Sequence, residues 1–186
     1  MISVNNLRKG LLVEIDKTVY AVVEYQHHKP GKGHAVVRVK LKNAQTGAVI
    51  DRTFNGKEKI PTADAERKRM QYLYSDGAWH FMDQETYDQI ALDESEVGET
   101  SRYLTEGLEV EILFHEGRAL GMDLPTAVNL KVTETEPGVK GDTATAAKKR
   151  CTLETGYKVE VPLFIEQGEL LKIDTRTGEY LERAKG

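Results

Sequence analysis

The sequence predicts an all-β protein built from three small closed β units. Two observations carry this prediction. Almost every segment of the 186 residues consists of short runs in which apolar and polar side chains alternate, and turn-forming residues separate these runs at regular spacing. No long run with helical periodicity interrupts them. Short alternating strands with frequent turns are typical of small barrels and sandwiches.

Residues 1–64 predict a first β module. Short strands are expected at residues 11–15, 19–25, 35–41 and 48–54, with turns at residues 16–18 and 43–47. Polar residues 57–64, which include Pro61, are expected to link this module to the next unit.

Residues 65–128 predict a five-stranded barrel of the oligonucleotide-binding (OB) type with a small helix. Strands are expected at residues 67–74, 79–83, 109–114 and 118–123, and helical turns at residues 84–91 and 101–104. Four aromatic residues alternate across the first hairpin of this unit: Tyr72, Tyr74, Trp79 and Phe81. They either stack on bases or pack against one another within the barrel.

Residues 129–186 predict a third closed β unit. Its strands are expected at residues 130–135, 157–164, 169–174 and 179–183. A loop of small and basic residues is expected at 141–150. Its last three residues predict an exposed basic surface that contacts RNA: Lys148, Lys149 and Arg150.

The connection between the second and third strands of the first unit predicts a hairpin tip. This connection consists of Lys29, Pro30, Gly31, Lys32, Gly33 and His34. Pro30 fixes its φ at about −65° and Gly31 tolerates a positive φ, which together favour a type II turn. Glycines flank Lys32 on both sides, so no adjacent side chain packs against it. The sequence therefore predicts that Lys32 is presented at the point of the hairpin.

The strand after the tip predicts one dry face and one basic face. Alternation sends Val37, Val39 and Leu41 to one side, and Arg38, Lys40 and Lys42 to the other. Residues 25–50 contain five Lys or Arg, three His and no Asp or Glu. This composition favours a polyanion-binding patch, although glycine-rich turns and strand lysines are also ordinary features of a solvated hairpin.

Charge is distributed unevenly around the net value of −4. Residues 1–64 carry a net charge of +5, residues 65–128 carry −9, and residues 129–186 are neutral. Nucleic-acid contact is therefore expected at the first unit and at patches of the third. The single cysteine excludes an internal disulfide, and no signal peptide or membrane-spanning run is apparent, so a cytoplasmic protein without membrane partners is expected.

The sequence does not predict an enzyme, a cofactor or a metal site. A phosphate-binding loop requires a glycine where Gln26 stands and a Ser or Thr where Gly33 stands. Cys151 follows three basic residues, which favour a lowered thiol pKa, but it lacks a local histidine partner. His27 and His28 do not predict a metal site, because adjacent residues on a strand face opposite sides and cannot easily share one ion. They are interpreted as loop residues that add to the basic patch when protonated.

The chain resembles the bacterial translation elongation factor P family. The resemblance covers essentially the whole sequence and rests on the tip at residues 29–33, and on residues 137–143, 152–156, 161–164 and 173–180. It implies an N-terminal SH3-like barrel followed by two OB-type barrels in an elongated, tRNA-like shape. It also implies binding to the ribosome beside the peptidyl-tRNA, between the peptidyl and exit sites, and relief of stalls at consecutive prolines.

The resemblance also assigns roles to individual residues. Lys32 matches the tip lysine that a separate enzyme modifies and that points toward the peptidyl-transferase centre. The third-domain loop near the small-subunit exit-site codon matches Gly141, Asp142 and Thr143. Tyr180 and Arg183 match C-terminal residues important for activity. The implied partners are RNA of both ribosomal subunits, exit-site proteins and the peptidyl-tRNA, and a monomer is expected.

Two features depart from the family pattern. Arg150 and Cys151 replace the usual Pro-Ala, and residues 124–130 resemble the paralogous elongation factor P-like proteins. The intact tip sequence favours the factor itself. A general single-stranded RNA-binding protein remains an alternative from another class, and a hydrolase is disfavoured because no nucleophile with a base is recognisable.

Overall fold

The computed structural model describes residues 1–28, 31, 35–138 and 147–185. Strands dominate these residues, and the helical segments are short, so the predicted all-β class is confirmed. Contacts between residues divide the chain into two compact units. One contains residues 1–68 and 112–121, and the other contains residues 69–111 and 122–186.

Six strands form two sheets in the first 60 residues. They are β1 (Ile2–Ser3), β2 (Leu12–Ile15), β3 (Thr18–His28), β4 (Val36–Asn43), β5 (Val49–Asn55) and β6 (Lys59–Ile60). Strands β2, β3, β4 and β5 pair in this order as an antiparallel sheet, and β1 pairs with β6. The segment predicted to be a plain linker thus contributes a strand to this part of the chain, and Glu14 N–H donates to the Pro61 carbonyl at 2.9 Å.

A single hydrophobic core holds this sheet. Alternation along β4 places every second side chain in the core, as the sequence predicted. The buried residues of the core are Val4, Leu7, Val13, Val22, Val37, Val39, Leu41 and Ile60. Strand β3 extends three residues past its predicted end, so His27 and His28 lie on a strand and not in a loop.

Five further strands form an antiparallel sheet in the middle of the chain. They are β7 (Ala65–Ser75), β8 (Trp79–Asp83), β9 (Gln89–Leu92), β10 (Glu109–His115) and β11 (Arg118–Asp123). Their order in the sheet is β11, β10, β7, β8, β9. A short helix, α1 (Glu94–Val97), and a 3₁₀ helix (Gly98–Tyr103) follow β9. A five-stranded sheet with a short helical region after β9 agrees with the architecture predicted for residues 65–128.

The helix predicted at residues 84–91 is wrong, because local hydrogen bonds favour a turn there. The Asp83 carboxylate accepts from backbone N–H groups two and three residues later, at 2.8 and 3.2 Å. Tyr87 has a φ of 63°, outside the right-handed helical region. The helix starts after Asp93, whose side chain caps the N–H of Glu96 while the Glu96 side chain caps the N–H of Asp93.

The last five strands form the third large sheet. They are β12 (Ala127–Thr135), β13 (Lys148–Leu153), β14 (Lys158–Pro162), β15 (Leu170–Asp174) and β16 (Tyr180–Arg183). Their order in the sheet is β14, β13, β12, β15, β16. The hydrophobic core beside this sheet also contains Tyr103 from the 3₁₀ helix. The Tyr157 hydroxyl, at the partly buried edge of the core, donates to the Gly178 carbonyl at 3.0 Å.

The turn between β15 and β16 is held by the Asp174 carboxylate. Arg176 donates to it from its backbone N–H at 2.8 Å and from its guanidinium at 2.8 and 3.2 Å. These hydrogen bonds lower the pKa of Asp174 to about 2. The carboxylate form is therefore favoured by the fold.

We expect the turn to make the stability of the protein pH-dependent. The unfolded-state pKa of Asp is about 3.9, so the contribution of Asp174 is complete above pH 4 and is lost as the pH falls toward 2. Urea unfolding should find Asp174→Asn less stable than wild type at pH 7. The difference should shrink between pH 4 and pH 2, and a difference that is constant with pH would contradict this role.

Candidate nucleic-acid interface

The long β3–β4 hairpin is the structural support of the predicted tip. Antiparallel pairing runs from Tyr20 opposite Asn43 to His28 opposite Val36. The chain segment between these paired ends contains the tip sequence. Gly31 is exposed. The other predicted tip residues lie outside the described residues: Lys29, Pro30, Lys32, Gly33 and His34.

The dry face of the hairpin is confirmed. Val37, Val39 and Leu41 are buried in the core of the first unit. On the opposite face of β4, Arg38 and Lys42 are exposed and Lys40 is half-buried. Alternation along a single strand was sufficient to separate these two sets of side chains.

The basic face is less positive than the sequence predicted. Lys40 lies between Glu24 on β3 and Asp51 on β5, and its ammonium is 3.5 Å from the Glu24 carboxylate. Both acidic residues fall just outside the acid-free run at residues 25–50, so the sequence signal missed them. Among the described residues, positive charge without a paired carboxylate on this face of β4 remains at Arg38 and Lys42.

The predicted basic loop at residues 148–150 is wrong. These residues begin β13 and pair with β14, where Arg150 stands opposite Glu160. Alternation along β13 turns Lys149 inward, and only 9% of this residue is exposed. A continuous surface of three charges therefore does not form, and only Lys148 and Arg150 face solvent.

Cys151 is a buried core residue and not a reactive thiol. It lies on β13 and packs in the core of the third sheet. Burial raises the pKa of the thiol, and the charge of Lys149 opposes this increase only in part. The preceding basic residues therefore cause no net lowering of the thiol pKa, because desolvation is the larger effect.

The C-terminal residues carried over from the family lie on β16. Tyr180 packs against the core of the third sheet. The Arg183 guanidinium donates to the Glu169 carboxylate at 3.2 Å and lies 4.8 Å from the centre of the Phe164 ring. Arg183 is thus held in place while part of it faces solvent. The loop residues Gly141, Asp142 and Thr143 lie outside the described residues.

Two of the four aromatic residues of the central hairpin are buried, and the other two lie nearer the surface. Tyr72 and Phe81 are buried, with ring centroids 5.4 Å apart. Tyr74 is 50% exposed and stacks on His80 at 4.3 Å, and Trp79 is half-buried. The core interpretation therefore holds for the first pair, and a β-bulge at residues 72–74 brings Tyr74 to the surface.

The described residues hold neither a metal-binding cluster nor a membrane-spanning helix. They contain no group of three His, Cys, Asp or Glu side chains close enough to hold a metal ion. In the same part of the chain, no helix is long and apolar enough to cross a membrane.

Comparison with known proteins identifies the family. The elongation factor P KOW-like domain model matches residues 3–60, and the elongation factor P OB domain model matches residues 65–122. The elongation factor P C-terminal model matches residues 128–183. Together with the three large sheets, these matches confirm the predicted class of small β-barrels.

Relatives match this chain from end to end. Elongation factor P from Symbiobacterium thermophilum is 55% identical over 99% of this chain and all of that protein, and the one from Moorella thermoacetica is 54% identical over the same shares. Among solved structures, eukaryotic translation initiation factor 5A from Methanococcus jannaschii matches with a TM-score of 0.50 and 25% identity. That match covers 66% of this chain and 93% of the other. This chain therefore belongs to the elongation factor P family of translation elongation factors.

Proposed function

We propose that this translation factor binds the ribosome beside the peptidyl-tRNA, between the peptidyl and exit sites, and accelerates peptide bond formation at consecutive prolines. Membership of the family over the full length of the chain supports this proposal. The β3–β4 hairpin also supports it. The segment between the paired ends of the hairpin contains Lys32, and the sheet to which both strands belong packs on a hydrophobic core.

Lys32 is the functional residue in this proposal. A separate enzyme modifies its ε-amino group, and the extended side chain contacts the end of the peptidyl-tRNA. Ordering a free lysine costs up to roughly 2 kcal/mol of side-chain entropy. An added group that makes contacts in the catalytic centre would offset this cost.

The proposed mechanism is positional and the factor is not an enzyme in its own right. Proline reacts poorly in peptide transfer, and holding the peptidyl-tRNA in a reactive geometry lowers the entropic part of the barrier. A tenfold acceleration needs only about 1.4 kcal/mol. A few contacts supply this amount without an acid, a base or a cofactor.

The three predicted domains have different tasks in this proposal. Residues 1–64 face the transfer RNA, where Arg38 and Lys42 contact phosphates. Residues 65–128 and 129–186 anchor the factor, and Gly141, Asp142 and Thr143 face the small subunit. The factor works in the cytoplasm as a monomer.

Binding measurements distinguish this function from general RNA binding. A translation factor should bind ribosomes that carry peptidyl-tRNA and should bind loose single-stranded RNA weakly. A general RNA-binding protein should bind free oligonucleotides at low salt, with Tyr74 among the exposed aromatic residues available for stacking. Tight binding to free RNA that does not increase when ribosomes are present would reject the proposal.

We expect Cys151 to have no chemical role in this function. Cys151→Ser should retain full relief of proline stalls, at a stability cost of about 1 to 3 kcal/mol because a hydroxyl replaces a buried thiol. Urea unfolding and a proline-stall reporter measure the two effects. Lost relief in a variant that remains folded would restore the reactive-thiol interpretation.

A further inference from the structure

An exposed aromatic pair lies on β3, before the tip. Tyr25 is 40% exposed and His27 is also exposed. Their rings meet edge to face, with centroids 5.7 Å apart and an interplanar angle of 85°. An edge-to-face pair covers only one face of one ring, and both side chains remain exposed to solvent in part.

The strand register places this pair on a defined face of the hairpin. Tyr25 stands opposite Val39 and His27 opposite Val37. Side chains that stand directly opposite each other share one face of a sheet. The aromatic pair therefore lies beside Val39 and Val37 on the dry face of the hairpin, and not on the face that carries Arg38.

The surroundings of the pair favour a negatively charged partner. On β5, Arg52 stands opposite Val39 and Phe54 stands opposite Val37. The cross-strand rows that contain Tyr25 and His27 therefore hold no carboxylate. The Arg52 guanidinium is 3.8 Å from the Asp16 carboxylate; about half of the Arg52 side chain and most of the Asp16 side chain are exposed. Such an ion pair is weak and leaves the guanidinium available to a phosphate.

We propose that Tyr25 and His27 form a stacking platform for an unpaired base of the transfer RNA. This inference rests on the ribosomal function proposed above and adds a contact separate from Lys32. Aromatic rings bind unpaired bases of any sequence by stacking, and a nearby arginine adds a phosphate contact. The platform thus requires no base-specific hydrogen bonds.

Transfer RNA is favoured over a protein partner by charge and by position. On the face of the pair, Arg52 supplies a positive charge in the row of Tyr25, and the two aromatic rows contain no carboxylate, which suits a polyanion. Tyr25 precedes Lys32 by seven residues. Seven extended residues span at most about 25 Å, so the platform lies within that distance of Lys32 along the same hairpin.

The test uses the full-length factor and three variants. Tyr25→Leu keeps an apolar side chain but removes the ring, and Tyr25→Phe keeps the ring. Tyr74→Leu is the matched control, because Tyr74 is also an exposed tyrosine beside a histidine but belongs to the acidic middle segment. Affinity is measured on ribosomes with peptidyl-tRNA and on vacant ribosomes. Fluorescence of 2-aminopurine in the unpaired 3′ end of the transfer RNA reports stacking directly.

Tyr25→Leu should weaken binding to ribosomes with peptidyl-tRNA by at least about fivefold, with little change on vacant ribosomes. Wild type and Tyr25→Phe should quench 2-aminopurine, and Tyr25→Leu should quench it less. Tyr74→Leu should resemble wild type in both assays. Unchanged affinity and quenching for Tyr25→Leu would overturn the platform, and an equal loss on vacant ribosomes would assign the ring to ribosomal RNA or protein instead. If wild type fails to bind or stimulate ribosomes, the proposed function itself fails, which is a distinguishable result.

Discussion

Replacing Lys32 by alanine should abolish the acceleration of proline–proline bond formation while leaving the protein folded and bound to ribosomes. The loss is expected to be at least tenfold in rate, equivalent to about 1.4 kcal/mol of barrier. Most ribosome affinity should remain, because Arg38 and Lys42 and the other two predicted domains are unchanged. The measurements are quench-flow rates of proline–proline bond formation and equilibrium binding to ribosomes.

Two further variants make this result specific. Lys32→Arg keeps the positive charge but lacks the primary amine that modification requires, so it should fail nearly as badly. Lys9→Ala removes an exposed lysine from the same part of the chain and should act like wild type. Protein from the native host should show an added mass on Lys32. Full stall relief by Lys32→Ala would mean that the tip is only a turn.

Replacing Leu41 by alanine should destabilise the first unit more than any other change considered above. Leu41 is fully buried on β4, in the core that supports the hairpin. Truncating a fully buried leucine costs about 2 to 5 kcal/mol through lost burial and a residual cavity. Urea unfolding should detect this loss, and ribosome stimulation should fall with it as the hairpin loses its support.

The neighbouring residue provides the matched control. Lys42→Ala changes the next position of the same strand but alters an exposed side chain on the opposite face. Its effect on the free energy of unfolding should stay within about 0.5 kcal/mol. Equal destabilisation by the two variants would contradict the face assignment of β4.

Alternation within one strand was the part of the structure most accessible from sequence. The faces of β4 follow from a two-residue period, which requires no knowledge of other strands. The same rule, applied to residues 148–150, would have turned Lys149 inward. That prediction failed because three consecutive charges were taken as evidence of a loop, whereas pairing with the following strand, β14, makes the segment a strand.

Features that depend on register were less accessible. The neutralisation of Lys40 by Glu24 and Asp51 and the shared face of Tyr25 and Val39 both arise from strand pairing. A β-bulge between Val22 and Glu24 sets this register, and sequence periodicity does not locate such a bulge. In the middle segment, the Asp83 turn likewise outweighed the helix-like composition that follows it.

If this protein accelerates peptide transfer by positioning, the size of its effect should depend on how poorly the reacting amino acids transfer the peptide. Ribosomes carrying a peptidyl-tRNA that ends in proline react with prolyl-tRNA or phenylalanyl-tRNA, with and without the protein purified from its native host. We expect at least tenfold acceleration for proline, much less for phenylalanine, and no new inflection in the pH profile of the rate. Equal rates with and without the protein would contradict it.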